Sequence, residues 1–145
     1  MLLGQYEDDL ENGCRLTVPV PYRGAFAEGV YVTQGFEKNL MLMTDEAFRG
    51  LYQRVIAMNM ANPLARLLLR MILGNASRVE MDESGRIQIP RNLVTFAGLE
   101  KAVMLVGQGD YVEVWAPALW EKQSDDVQNA EANAERFSML DLAIH

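Results

Sequence analysis

The chain has 145 residues, of which 50% are hydrophobic and 23% are charged, and its formal net charge is −7 at pH 7. This is the composition of a globular domain, and no apolar run approaches the roughly 20 residues that span a bilayer. The one cysteine, Cys14, and the one histidine, His145, cannot supply Ser–His–Asp or Cys–His catalysis or a zinc site.

These counts predict a protein that is not an enzyme and that has no metal, no cofactor and no membrane partner. A lone thiol and the absence of a secretory signal favour the cytoplasm. The acidic charge is concentrated in residues 121–145, which hold six acids and two bases. We expect this acidic tail to be either helical or disordered. An arginine cluster elsewhere in the chain could still bind phosphate.

The first predicted element is a β-hairpin in "LENGCRLTVP", residues 10–19. Its Asn12-Gly13 pair is the strongest two-residue signal for a type I′ turn. A short amphipathic turn follows, and then two strand-like runs, "VYVTQG" at 30–35 and "NLMLMT" at 39–44. The predicted order is β–turn–β–short helix–β–β, in a first unit over residues 5–48.

Two helices are predicted between the repeated units, and they form a helical connection at residues 49–76. Thr44 begins the first helix as a cap, and Asn62-Pro63 begins the second, because Asn caps well and Pro fits the first helical position. Apolar stripes at helical spacing are typical of core packing. The alternative for "LARLLLRMIL", which is apolar on more than one face, is contact with a neighbouring subunit.

A second unit over residues 77–120 repeats the first at an offset of 71 positions. In "MDESGRIQIP", residues 81–90, Asp82 and Gly85 fit the first and fourth positions of a type I turn. Strand-like runs follow at 102–107 and 111–116. Units of about 45 residues bury a core poorly when alone, so we expect the halves to interlock as a pseudo-dimer.

An arginine follows each turn, and the turn chemistry does not account for it. Strand alternation places Arg15 and Arg86 on the polar faces of their strands. A carboxylate stands four residues before each of them, Glu11 or Asp82, where it could orient the guanidinium by a bidentate contact. A solvated hairpin arginine is the ordinary interpretation of one copy. Its recurrence beside two different turns favours a function.

The two phrases resemble the AbrB/SpoVT type of DNA-binding repeat, and two such repeats in one chain resemble the MraZ family of bacterial regulators. Further matching strings are "GQYEDDL", "PVPYRGAF" and "AGLEKAVMLVGQGDYVEVW", with a trailing Trp120. The resemblance implies an α+β, mainly β fold, in which two tandem half-barrels form a pseudo-twofold barrel of the swapped-hairpin or double-psi type, with helices between and after them.

The resemblance also implies closed rings of subunits and a DNA-binding transcriptional regulator associated with the nucleoid. Such a regulator is usually a repressor that binds short direct repeats upstream of its own division and cell-wall gene cluster. The alternative is a protein-binding oligomeric scaffold or antitoxin-like module of the same fold, with weak or lost DNA binding.

The family motif falls on equivalent positions of both halves, with departures in each. The family usually has an Asp, a central Lys and a Gly before the Arg, and the first half instead has Glu11, Gly13 and Cys14. The predicted DNA-binding residues are Arg15, Arg86, Arg23 and Arg91, and the predicted turn residues are Glu11, Asn12, Gly13, Cys14, Asp82, Ser84 and Gly85. Arg15 is the predicted main reader, because Arg23 follows it where the second half has Val94.

Overall fold

The computed structural model describes residues 1–141 and contains, over that range, eight strands and six helices. The first half consists of β1 (Gln5–Glu11), β2 (Arg15–Thr17), α1 (Val20–Arg23), β3 (Val30–Gln34) and β4 (Leu40–Met43). The connection forms α2 (Asp45–Ile56) and α3 (Pro63–Ile72). The second half consists of β5 (Ser77–Val79), β6 (Arg86–Gln88), α4 (Arg91–Phe96), β7 (Ala102–Gly107) and β8 (Tyr111–Trp115). The predicted order of elements within each unit is confirmed.

The eight strands form one antiparallel sheet in the order β5-β3-β4-β8-β7-β1-β2-β6. β1 of the first half pairs with β7 of the second, and β5 of the second half pairs with β3 of the first. Each half therefore gives its hairpin to the sheet of the other half. The Asp82 amide donates to the Arg86 carbonyl at 2.9 Å. This bond links the segment after β5 to β6, the two strands at the ends of the order, so the sheet is nearly closed. This is the swapped-hairpin barrel with pseudo-twofold symmetry.

The core is the interior of the barrel, and both halves contribute to it. Leu16 and Ile87 lie opposite each other on β2 and β6 and are fully buried. Burying one such side chain contributes about 1.5–3 kcal/mol. Tyr22 is buried in this core, and its hydroxyl donates a hydrogen bond to the Leu3 carbonyl at 2.9 Å. Because neither half surrounds this core alone, the two repeats fold as one unit.

The helices α2 and α3 cover part of the outside of the sheet, whereas α1 and α4 contribute Tyr22 and Leu93 to the core. Thr44 and Asn62 cap α2 and α3 as predicted: their side-chain oxygens accept amide hydrogens at 3.1 and 2.9 Å. Both helices pack on β3 and β4 around Met41, Met43 and Ile72.

The predicted acidic tail is helical over most of residues 121–141, as the end of α5 (Pro117–Gln128) and as α6 (Ala130–Phe137), with Asn129 and residues 138–141 outside the helices. Trp120 anchors α5 against Trp115, with ring centroids 5.7 Å apart. Positions 142–145, which include His145, lie outside the described residues. None of the helices in residues 1–141 is both long enough and apolar enough to cross a membrane.

Candidate nucleic-acid interface

The two hairpin turns have the predicted geometries. In the first turn, Asn12 and Gly13 have φ of 53° and 76°, and the Cys14 amide donates to the Glu11 carbonyl at 3.2 Å. These are the features of a type I′ turn. In the second turn, the Gly85 amide donates to the Asp82 carbonyl at 3.0 Å, and Gly85 has φ of 80°. One turn thus has two left-handed residues and the other has one.

The fold brings the two arginines onto one surface. β2 and β6 pair antiparallel, with Arg15 opposite Gln88 and Thr17 opposite Arg86. Residues directly opposite in such a pair point to the same side of the sheet, and the other side of both strands is buried core. We call the outward surface formed by Glu11, Arg15, Thr17, Arg86 and Gln88 the hairpin face. Strand alternation predicts one polar face per half, and the pairing of β2 with β6 makes the two faces continuous.

The carboxylates of the hairpin face do not pair as predicted. Glu11 contacts Arg86 of the other half, with 3.3 Å between its Oε2 and the arginine Nη1. Asp82 instead accepts the amide hydrogens of Arg86 and Ser84 on its Oδ1, at 3.0 and 2.8 Å. The Arg86 amide hydrogen bond is the main cause that lowers the pKa of Asp82. Within residues 1–141, Arg15 has no ion-pair partner. The ion pairs that the sequence allows between each arginine and the acid of its own hairpin are not formed within residues 1–141, because Glu11 pairs with Arg86 and Asp82 is engaged by the amides of its own turn.

Arg23 lies between the two hairpins rather than at the edge of the face. Its Nε donates to the Val18 carbonyl at 2.8 Å, and the Val18 amide donates to the Gly85 carbonyl at 2.7 Å. A Cβ added to Gly85 would collide with the Arg23 guanidinium. Arg23 therefore packs against the second turn and requires glycine there. No local sequence pattern indicates this contact, because the two residues belong to different repeats.

Cys14 occupies the position in the first hairpin that Gly85 occupies in the second. Its carbonyl accepts the Ile89 amide at 2.8 Å, the counterpart of the bond between Val18 and Gly85. Cys14 does not adopt a positive φ, because Asn12 and Gly13 complete the turn before it. A side chain is therefore tolerated at one of two equivalent positions and excluded at the other.

Arg91 is exposed at the first position of α4, directly after Pro90. The four predicted arginines thus divide into two classes. Arg15, Arg86 and Arg91 make no side-chain hydrogen bond to the backbone within residues 1–141, whereas Arg23 is bound to the Val18 carbonyl; Arg91 is exposed and the other three are half-buried. Guanidinium groups on a rigid strand pair can bind phosphate or guanine edges bidentately.

Comparison with known proteins gives a family match over almost the whole chain. The family model described as "MraZ protein, putative antitoxin-like" matches residues 1–71 and again residues 72–141. A transcriptional regulator MraZ from Herpetosiphon aurantiacus is 34% identical over 143 residues, covering 98% of this chain and 100% of the relative. A transcriptional regulator MraZ from Mesoplasma florum is 35% identical over 146 residues, covering 100% and 96%. One from Roseiflexus sp. is 34% identical over 138 residues, covering 95% and 94%. The two matched segments meet at the end of α3.

Proposed function

Because the chain belongs to the MraZ family of transcriptional regulators, we propose that it binds DNA upstream of its own genes through the hairpin face, as a closed ring of subunits. The family is one of regulators and not of enzymes, which confirms the prediction that the chain is not an enzyme. The proposed targets are short direct repeats ahead of its own division and cell-wall gene cluster, which it represses. Its place of action is accordingly the nucleoid, in the cytoplasm.

The observation that carries the proposal is the free guanidinium of Arg15. It lies on a strand pair fixed by two turns and a buried core, and among the described residues it has no ion-pair partner. Thr17 and Gln88 beside it offer a hydroxyl and an amide, which are groups that bind phosphates and base edges. Glu11 lies opposite it on β1 but pairs with Arg86, so the Arg15 guanidinium stays available for contact with DNA.

Arg86 and the outer arginines would have supporting roles. Arg86 must exchange its contact with Glu11 for one with DNA, so its contribution is smaller than that of Arg15. Arg91, exposed at the start of α4, is placed to contact phosphate. Arg23 uses its Nε within the protein, which leaves the two terminal nitrogens for a phosphate contact.

A ring of subunits would compensate for the unfavourable net charge. At −7 the chain repels DNA at long range, and Glu11 and Glu83 lie near the arginines. Linked sites that engage together can raise the apparent affinity by about 10² to 10⁴. Direct repeats in the DNA would present successive sites to successive subunits of the ring.

The alternative is a protein-binding scaffold or antitoxin-like module with weak DNA binding. The contact between Glu11 and Arg86 favours it, because this contact neutralises one of the two hairpin arginines. The two functions predict different effects on DNA affinity when the carboxylate of Glu11 is removed.

We expect Glu11→Gln to tighten binding to the upstream DNA by up to about fivefold per engaged site, because an exposed ion pair is worth at most about 1 kcal/mol. The substitution frees Arg86 and removes a negative charge from the hairpin face. Fluorescence anisotropy with the chain's own upstream DNA at one salt concentration measures the change.

The matched control is Glu46→Gln on α2, which removes the same charge from an exposed position outside the hairpin face. It should change the affinity much less than Glu11→Gln does. Affinity that falls in Glu11→Gln would contradict the proposal, because Glu11 would then be needed to orient Arg86. The absence of upstream-DNA binding in the wild type and in both variants would favour the scaffold.

A further inference from the structure

One side of α3 has no partner within the described chain. Leu64 and Leu67 are 72% and 60% exposed. Arg66 and Arg70 lie beside them on the same exposed side, while the opposite side of the helix is buried on the sheet. Large apolar side chains grouped on one exposed surface mark an interaction site more often than they mark a solvent surface.

The segment of the sequence that contains α3 carries only positive charge. Residues 49–76 hold four arginines and no Lys, Asp or Glu. Arg66 and Arg70 are four residues apart on one helix, a spacing at which like charges repel each other. An acidic partner would remove that repulsion. The exposed side of α3 therefore fits a surface that is both apolar and negatively charged.

A surface of that chemistry lies elsewhere in the same chain. An open groove of about 640 Å³ runs between β1, β7 and α5, and the apolar side chains of Met104 and Ala102 and the exposed edge of the largely buried Trp120 line it. The other lining residues include five acids: Glu7, Asp8, Asp9, Glu121 and Asp125. The groove thus combines apolar and acidic groups, which is the chemistry that complements the exposed side of α3.

The acids of the groove have no cation of their own. Glu121 and Asp125 are four residues apart on α5, again at the repulsive spacing. Within residues 1–141, none of the five acids has an ion-pair partner. Within residues 1–141, therefore, neither the acids of the groove nor the arginines of α3 form an ion pair, and Arg66 donates one hydrogen bond to the Met60 carbonyl at 2.7 Å.

We propose that α3 of one chain docks into the groove of a second chain, with its leucines against Trp120 and Met104 and its arginines against the acids. The contact rests on the proposed ring, and it specifies which surfaces form it. The two surfaces differ, so each chain offers one to each neighbour, and a head-to-tail contact of this kind generates a ring when its rotation closes. DNA would match the arginines but would offer no apolar partner to Leu64 and Leu67.

Charge reversal tests the pairing. In the first variant, Arg66→Glu and Arg70→Glu make α3 acidic, and in the second, Glu121→Arg and Asp125→Arg make the α5 side of the groove basic. Each variant alone places like charges between α3 and the α5 side of the groove, so we expect each to dissociate, with an assembly concentration at least tenfold above that of the wild type. A 1:1 mixture pairs acidic α3 with a basic α5 side and basic α3 with an acidic α5 side. We expect it to assemble again. Light scattering coupled to size-exclusion chromatography measures the mass in each case against the 16.3 kDa chain.

A matched control is Glu131→Arg with Glu135→Arg on α6, which changes the net charge as much as the groove variant but lies outside the groove. This control should assemble like the wild type. Circular dichroism shows that every variant is folded, and the recovery of assembly in the mixture is a result that misfolding cannot produce.

The outcomes separate this contact from the ring itself. A monomeric wild type would overturn both. A wild-type ring that persists in both charge variants, or variants that dissociate and do not assemble when mixed, would overturn the contact and leave the ring. An α3 variant that stays assembled but loses DNA binding would show that α3 binds DNA instead.

Discussion

Arg15→Ala is expected to abolish most specific DNA binding while leaving the fold intact. Loss of one bidentate arginine contact costs about 1–3 kcal/mol per engaged site, which is about 5- to 150-fold in affinity, and the loss multiplies when several subunits bind together. The side chain is only partly buried on the hairpin face, so its removal leaves no cavity in the core. Binding to the upstream DNA at one fixed salt concentration measures the effect.

Two further variants show whether the effect is specific to Arg15. Arg86→Ala should be milder, because Glu11 already occupies that guanidinium. Arg49→Ala on α2 removes the same charge from an exposed ion pair with Asp45 and should change affinity little. Circular dichroism and oligomer mass should match the wild type in all three. Normal DNA binding by Arg15→Ala, or loss of binding that follows loss of the oligomer, would show that Arg15 has a structural role.

Gly85→Val is expected to destabilise the barrel by about 2–4 kcal/mol. The backbone at Gly85 has φ of 80°, where a β-branched residue is strongly disfavoured. The new side chain also displaces Arg23 and breaks its hydrogen bond to the Val18 carbonyl, a bond to a charged group. The free energy of unfolding in urea, at one protein concentration for all variants, measures the loss.

The chain supplies its own control for this substitution. Cys14→Val makes the same change at the equivalent position of the first hairpin, where φ is not positive, and should cost less than about 1 kcal/mol. In an Arg23→Ala background, Gly85→Val should cost at least about 1 kcal/mol less than in the wild type, because contacting residues couple. Equal costs in the two backgrounds would show that Arg23 does not pack against the second turn.

The repeat and its local structure could be predicted from the sequence because they depend on short-range rules. Asn12-Gly13 and Asp82 with Gly85 specify their turns through backbone conformations that few other residues adopt. Alternation on β2 and β6 specifies which side is buried, as the full burial of Leu16 and Ile87 confirms. These features need no knowledge of the partner strands.

The contacts between repeats could not be predicted, because they depend on how the two halves exchange hairpins. Each arginine has an acid four residues before it, so a local rule pairs Arg86 with Asp82. In the barrel Arg86 meets Glu11, which is 75 positions earlier, and Asp82 is used by its own turn. The packing of Arg23 on Gly85 has the same origin. The site is therefore a property of the assembled pair of repeats.

We propose that a ring of subunits binds repeated DNA through its hairpin faces. This proposal is tested most directly by changing the spacing of the DNA repeats. The affinity of the intact oligomer is measured for its own upstream DNA and for the same DNA with about five base pairs inserted between two repeats, which turns one repeat to the opposite side of the duplex. We predict that the insertion lowers the affinity at least tenfold, because successive subunits no longer reach both repeats and the gain from linked sites is lost. Equal affinity for the two DNAs, or for a shuffled sequence of the same length, would contradict the proposed function.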